Sequence, residues 1–309
     1  MPDTIAIIGN CQIPGIAACL EALSPKVKIS RFLVNQLHTE EERLNAVRNL
    51  RKYDLVLSHN FTDARFGPLK REALERQIPK IVFFPQIVFH GFHPDDASLN
   101  HQGRWLASPI GTHHSLLLAA AFRCEIPPER AARLFNSYVF ARLGYFDEYE
   151  AAKSVLLSYA SELGFDLSAS LADWQSSGPF MYIPTHPAIR VISDISIKVA
   201  KKAGIPISGS ISNLEDRLSS NVILPVYPAL AKRLGLIGST TFKLSKRQAS
   251  AESDQNMTLE EFATESYKIY ATYPKKVFSS DRFAKVRKIL REESGYFGKR
   301  TRVGPLAGN

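Results

Sequence analysis

Three short stretches carry side chains that could do chemistry. Asn10-Cys11-Gln12 sets a thiol between two amides. Ser58-His59-Asn60 sets an imidazole between a hydroxyl and an amide. The segment from His90 to Asp96 holds two imidazoles, His90 and His93, followed by two carboxylates. Acyl transfer uses these types of group: a base for the attacking hydroxyl, a nucleophile where the route is covalent, and N–H donors for a tetrahedral oxyanion. His93, and after it His90, are the candidate bases, oriented by Asp95 or Asp96. Cys11 is either an acylated nucleophile or a polar residue of the site. Gln12, Asn60 and His59, with the backbone N–H groups after Cys11, are the candidate oxyanion and substrate contacts. No cysteine or histidine cluster has zinc spacing, so no metal is expected, and His113-His114 are expected at a helix start.

These stretches need a scaffold that brings them together. Thr4 to Gly9 is an apolar, β-branched run that stops at a glycine, which predicts a buried strand handing over to a helix. Cys11 then falls at the turn, where free N–H groups and the positive end of the helix dipole are expected to lower its pKa and hold an anion. Strands are predicted at Val27 to Val34, Tyr53 to Asn60 and Pro79 to Phe84, alternating with helices at Ile16 to Leu23, Glu40 to Arg51 and Leu69 to Arg76. That alternation predicts a parallel sheet, whose carboxyl ends lie on one edge and gather Cys11, His59 and the His90 segment.

From Gly111 the pattern turns helical: Leu116 to Phe122, Glu129 to Leu143, Tyr145 to Leu163 and Ser168 to Gln175. A further amphipathic helix is predicted with Thr185 as N-cap, Pro187 in its first turn and Gly204 as its stop, which puts His186 at the positive end as an anion contact. Ser239 to Gln255 reads as a loop, Thr258 to Glu261 as a capping box, and Ser280 to Glu293 as a basic helix. The class is therefore α/β: an N-terminal domain, 1–110, of parallel sheet and flanking helices, followed by a mainly helical part, 111–309.

At 309 residues and 45% hydrophobic, the chain can bury a large core. No run approaches the ~20 apolar residues of a membrane span, and the N-terminus lacks the pattern of a signal peptide, which predicts a cytoplasmic protein. Cys11, Cys19 and Cys124 are expected as reduced thiols. The net charge of +9 is concentrated between Lys268 and Arg302, where eleven basic residues face three acidic ones. Such a segment attracts phosphates. It lacks aromatic interleaving, and nucleic acid is not expected. Gly9 to Gly15 has neither dinucleotide nor P-loop spacing, and no G-x-S-x-G elbow occurs.

Ile7-Ile-Gly-Asn-Cys-Gln12, the strand Asp54 to Leu57, Phe83-Phe-Pro-Gln86, Gly91-Phe-His-Pro-Asp95 and Thr185-His-Pro187 together resemble the WcbI family of capsular polysaccharide biosynthesis enzymes. The resemblance implies coenzyme A binding and an acetyl-CoA-dependent O-acetyltransferase acting on a heptose-containing capsule sugar. Its implied partners are the acyl donor, a sugar acceptor and other capsule-biosynthesis proteins. Cys11, Gln12, His90 and His93 would line the site, with Asn10 and His186 among the cofactor contacts. His59 stands where relatives are expected to carry glutamine. The alternatives to a transferase are an ester hydrolase like the GDSL enzymes and a non-catalytic protein that binds a phosphorylated glycan.

Overall fold

A computed structural model describes residues 2–246, 248 and 255–292. Lys299, Arg300 and Arg302, part of the expected basic terminus, lie outside the described residues. Along the chain, the helices are α1 Ile13–Leu23, α2 Glu40–Leu50, α3 Arg71–Gln77, α4 Leu116–Arg123, α5 Pro128–Ala132 and α6 Ser137–Leu143. They continue as α7 Glu148–Glu162, α8 Ser168–Ser176, α9 Ile189–Lys202, α10 Pro228–Leu234, α11 Leu259–Tyr270 and α12 Asp281–Glu292. The fold is α/β, with a parallel sheet early in the chain and a mostly helical C-terminal part. The chain divides into two compact units, Met1–Phe89 with Glu150–Ser220 and His90–Tyr149 with Asn221–Asn309. Each is drawn from two stretches, where the sequence pattern predicts a single boundary after residue 110.

The first unit is built on four parallel strands, β1 Thr4–Gly9, β2 Lys28–Leu33, β3 Leu55–His59 and β4 Ile81–Phe84, in the order β2-β1-β3-β4. Ile5 to Ile8 and all of β3 are buried, as central strands covered on both faces must be, whereas edge strand β2 keeps Lys28 and Arg31 exposed. Order reverses at β1 and β3, so the crevice at their carboxyl ends is the natural ligand position of such a sheet. α1 and α9 pack closely: a Cβ added to Gly15 would lie 3.1 Å from Ile192, and Cys19 Sγ is 3.6 Å from Ser193 Oγ.

α9 begins later than predicted. Its N-cap is Ala188, not Thr185, and His186-Pro187 pairs antiparallel with Met181–Ile183. Pro187 explains the shift, because it disfavours helical backbone in the residue before it. The amide of Ile189 donates instead to the Asp216 carboxylate, 2.8 Å away. His186 therefore does not sit in the first turn of the helix.

In the second unit, α4 is capped by Ser115, whose Oγ accepts from the Leu118 amide. The helix predicted over Glu129 to Leu143 is two, because Asn136 is extended (φ −136°) and caps α6 through Val139 N–H at 3.0 Å. The predicted loop from Ser239 contains a strand, Thr241–Lys243, paired with Asn256–Thr258. The capping box at Thr258 and Glu261 forms with both halves in place. Aromatic rings fill this unit, among them Phe242 against Phe262 at 4.4 Å and Tyr270 against Phe278 at 5.5 Å. No helix among the described residues is long and apolar enough to cross a membrane.

Gly9 ends β1 where no side chain fits: a Cβ there would come within 2.6 Å of both His59 Nδ1 and Ile13 Cδ1. Gly9→Ala is expected to destabilise the protein by about 1–3 kcal/mol, measured as a lowered urea midpoint.

Candidate active site

The β1–α1 turn is tied together by its own polar groups. Asn10 donates its amide to His59 Nδ1 at 3.4 Å, and its Oδ1 accepts from the Gln12 amide at 3.0 Å. Ile13 N–H returns to the Asn10 carbonyl at 3.1 Å. The amides after Cys11 that were expected to serve an oxyanion are thus engaged within the turn.

Gln12 is 1% exposed. Its Nε2 donates to the carbonyls of Ile87 (2.7 Å) and Thr185 (3.0 Å), and its Oε1 accepts from Ile87 N–H (3.1 Å). Both amide hydrogens are committed, so Gln12 fixes backbone and does not serve as the expected oxyanion donor. It draws Ile87, three residues past the end of β4, and the segment beside His186 to the start of α1. Cys11 itself is half-buried. Burial raises its thiol pKa, with a smaller opposing effect from its own backbone N–H. That is opposite to the expected lowering: desolvation outweighs the backbone hydrogen bond.

His59 is 1% exposed, packed edge-on to Phe84 at 4.7 Å, and burial lowers its pKa to about 3. It is a neutral imidazole whose Nδ1 accepts the Asn10 amide, which leaves the proton on Nε2. Nε2 is buried with no partner among the described residues. Asn60 hydrogen-bonds the phenol of Tyr159, whose pKa is raised by burial. His59 is thus a packing element beneath Gly9 and Asn10, where a substrate contact was expected.

The second unit holds the two imidazoles expected as bases, His90 and His93. His90 is exposed, with a pKa lowered chiefly by desolvation. His93 is 3% exposed; its Nε2 donates to the Leu224 carbonyl at 3.1 Å, its Nδ1 has no partner among the described residues, and burial lowers its pKa to about 4.

Neither is oriented by a carboxylate as predicted. Asp95, also buried, accepts from Leu117 N–H (2.9 Å) and the Tyr145 hydroxyl (2.7 Å), and burial raises its pKa to about 6. Asp96 binds His113 Nδ1 at 3.0 Å. This pair went unnoticed in the sequence, since a two-residue ladder, Asp96–Ala97 with His114–Ser115, brings positions 17 apart together. Among the described residues, no cluster of three or more ligating side chains is placed to hold a metal. Of the basic C-terminal helix, Arg282 donates to the Pro94 carbonyl at 2.6 Å and Lys288 lies 3.9 Å from Glu292.

A family model described as polysaccharide biosynthesis enzyme WcbI matches residues 4–208. The chain belongs to the WcbI family. The WcbI match spans both the Cys11 turn and the His90 to His114 segment. A solved structure described as WcbI, a novel polysaccharide biosynthesis enzyme, in its native form without a disulfide bond between coenzyme A and a cysteine, is 16% identical to this chain. The match covers 94% of this chain and 99% of that one, at a TM-score of 0.71, and shows a shared WcbI fold. No curated protein matches the chain.

The burial of His59 has a consequence for acid stability. An unfolded imidazole takes a proton near pH 6.5, whereas folded His59 stays neutral to about pH 3. Between those values the unfolded chain binds the extra proton, so stability falls as pH drops. His93 acts in the same direction, and Asp95, with its raised pKa, in the opposite one. His59 alone is expected to cost about 2 kcal/mol between pH 7 and pH 5. Urea unfolding of wild type and His59→Gln at the two pH values checks this; the variant should lose that share of the pH dependence.

Proposed function

We propose that this WcbI-family enzyme is an O-acetyltransferase that moves an acetyl group from acetyl-CoA to a hydroxyl of a capsular polysaccharide sugar or its precursor, and that it works in the cytoplasm, where acetyl-CoA is made. The observation that carries the reading is the position of Cys11: a half-exposed thiol at the carboxyl edge of the sheet, beside the point where strand order reverses. The solved WcbI structure is the native protein without a disulfide bond between coenzyme A and a cysteine, words that set coenzyme A beside a cysteine of that protein and so support a coenzyme A role for Cys11.

Acetyl-CoA supplies the acyl group as an activated thioester. Asn10, Cys11 and the segment around His186 are the residues we assign to holding it, with Gln12 fixing their backbone. Because burial keeps Cys11 protonated at neutral pH, we favour direct attack by the acceptor hydroxyl over an acyl-cysteine. The hydroxyl needs a base, for which His93 and then His90 are the candidates. His93, the foremost of them in sequence, is neutral at pH 7 but enclosed.

Calorimetric titration with CoA, acetyl-CoA and ATP at two salt concentrations tests the donor. Micromolar binding of the CoA species, tighter than ATP and persisting in moderate salt, is expected. Equal, salt-sensitive binding of all three would mean a generic anion surface and would sink the transferase.

A further inference from the structure

The basic C-terminal segment plays no part in the proposed transferase, and within the second unit the fold divides its charges. Lys268 closes on Glu265 at 2.6 Å, Lys288 lies 3.9 Å from Glu292, and Arg282 holds the Pro94 carbonyl. Lys275 and Arg291 are placed differently. With Arg123, from the last turn of α4, they line an open cavity of about 540 Å³, within the size range of ligand pockets.

Three cations meet one carboxylate there, that of Glu125. Neither Arg123 nor Lys275 forms an ion pair with a carboxylate among the described residues, and Arg123 Nε is buried without a hydrogen-bond partner among them. The crowding is felt at Cys124, where burial raises the thiol pKa and the charges of Arg291, Arg287 and Arg123 pull against the rise. Like charges gathered in this way repel one another, and an anion that enters relieves the repulsion. A phosphate monoester brings about two negative charges at pH 7, more than one carboxylate supplies. Its oxygens also match the forked N–H donors of arginine.

The other wall is aromatic and held in place. Phe122 and Tyr267, both half-exposed, meet edge to face at 5.2 Å, and the Tyr267 hydroxyl donates to the Ile126 carbonyl at 2.9 Å. Ile126 N–H in turn closes the end of α4 on the Ala121 carbonyl at 3.0 Å. Cys124 Sγ donates to the Arg287 carbonyl at 3.8 Å, which ties α12, the bearer of Arg291, to the same helix end. A ring joined to the phosphate thus finds apolar surface beside the cations.

We infer that this cavity is a binding site for a phosphate monoester that carries a ring, as sugar phosphates and nucleotides do. The phosphate lies among Arg123, Lys275 and Arg291, and the ring packs on Phe122 and Tyr267. The site is wholly within the second unit and stands apart from the acyl-transfer reading.

Calorimetry on the full chain tests it, with glucose 1-phosphate, uridine monophosphate and inorganic phosphate as probes of wild type, Arg123→Gln, Lys275→Gln and Lys232→Gln. Lys232 is an exposed lysine of α10 in the same unit that does not line the cavity, and its substitution removes the same charge. At least one ester is expected to bind about tenfold more tightly than inorganic phosphate, and the tighter of the two identifies the ring. Each cavity variant should weaken that binding about 10–100-fold, the loss of one charged hydrogen bond, while Lys232→Gln stays within about twofold. Urea unfolding checks that the variants fold, and the exposed Lys275 carries the test if Arg123→Gln does not. The site is overturned if wild type binds neither ester, if inorganic phosphate binds as tightly as both, if a folded cavity variant binds as wild type does, or if Lys232→Gln loses as much as Lys275→Gln.

Discussion

A primary amide buried to 1% exposure has to find its partners inside the protein, and Gln12 finds them in two places far along the chain. An unmet donor or acceptor there would cost about 1–3 kcal/mol, so Ile87 and Thr185 are held where the Gln12 carboxamide requires them. The start of α1, the exit of β4 and the segment before His186 thereby become one rigid edge. Cys11 inherits its position from this arrangement. Gly9 and His59 complete it from below: the missing Cβ lets the imidazole press against the turn, and the imidazole takes the Asn10 amide.

The sheet was legible because β1 and β3 are covered on both faces and so read as unbroken apolar runs, and β4 was found by its Ile-Val-Phe-Phe. Helix boundaries were less so. The apolar period runs through Asn136 without a break, yet the preference of asparagine for an N-cap splits the predicted helix there. At α9 the capping signs at Thr185 were outweighed by strand pairing at His186-Pro187, which no local pattern announces. The residues of the β1–α1 turn were legible as a cluster, but their roles were not. Gln12 looks like a free amide in sequence and is bound three times in the fold.

The thiol shows why charge is harder to read than position. The sequence supplies the helix terminus that lowers a thiol pKa, but it does not supply the degree of burial that raises it, and burial is the larger effect at Cys11. The same imbalance runs through the second unit. Asp95 receives donors from Leu117 and Tyr145 and is still pushed up to about 6, while His93 is pushed down to about 4. Both groups are driven toward their neutral forms by loss of water.

Neutrality at pH 7 is therefore not the mark of a base in this protein, because enclosure confers it on any imidazole. A base must also exchange its proton with substrate, and the enclosure that neutralises His93 also separates it from anything outside. His113 is held differently: its Nδ1 meets the Asp96 carboxylate, and its ring is less enclosed than that of His93. Two-residue strands and one aspartate suffice to create that arrangement, which is why it depends on tertiary pairing and left no trace in local sequence.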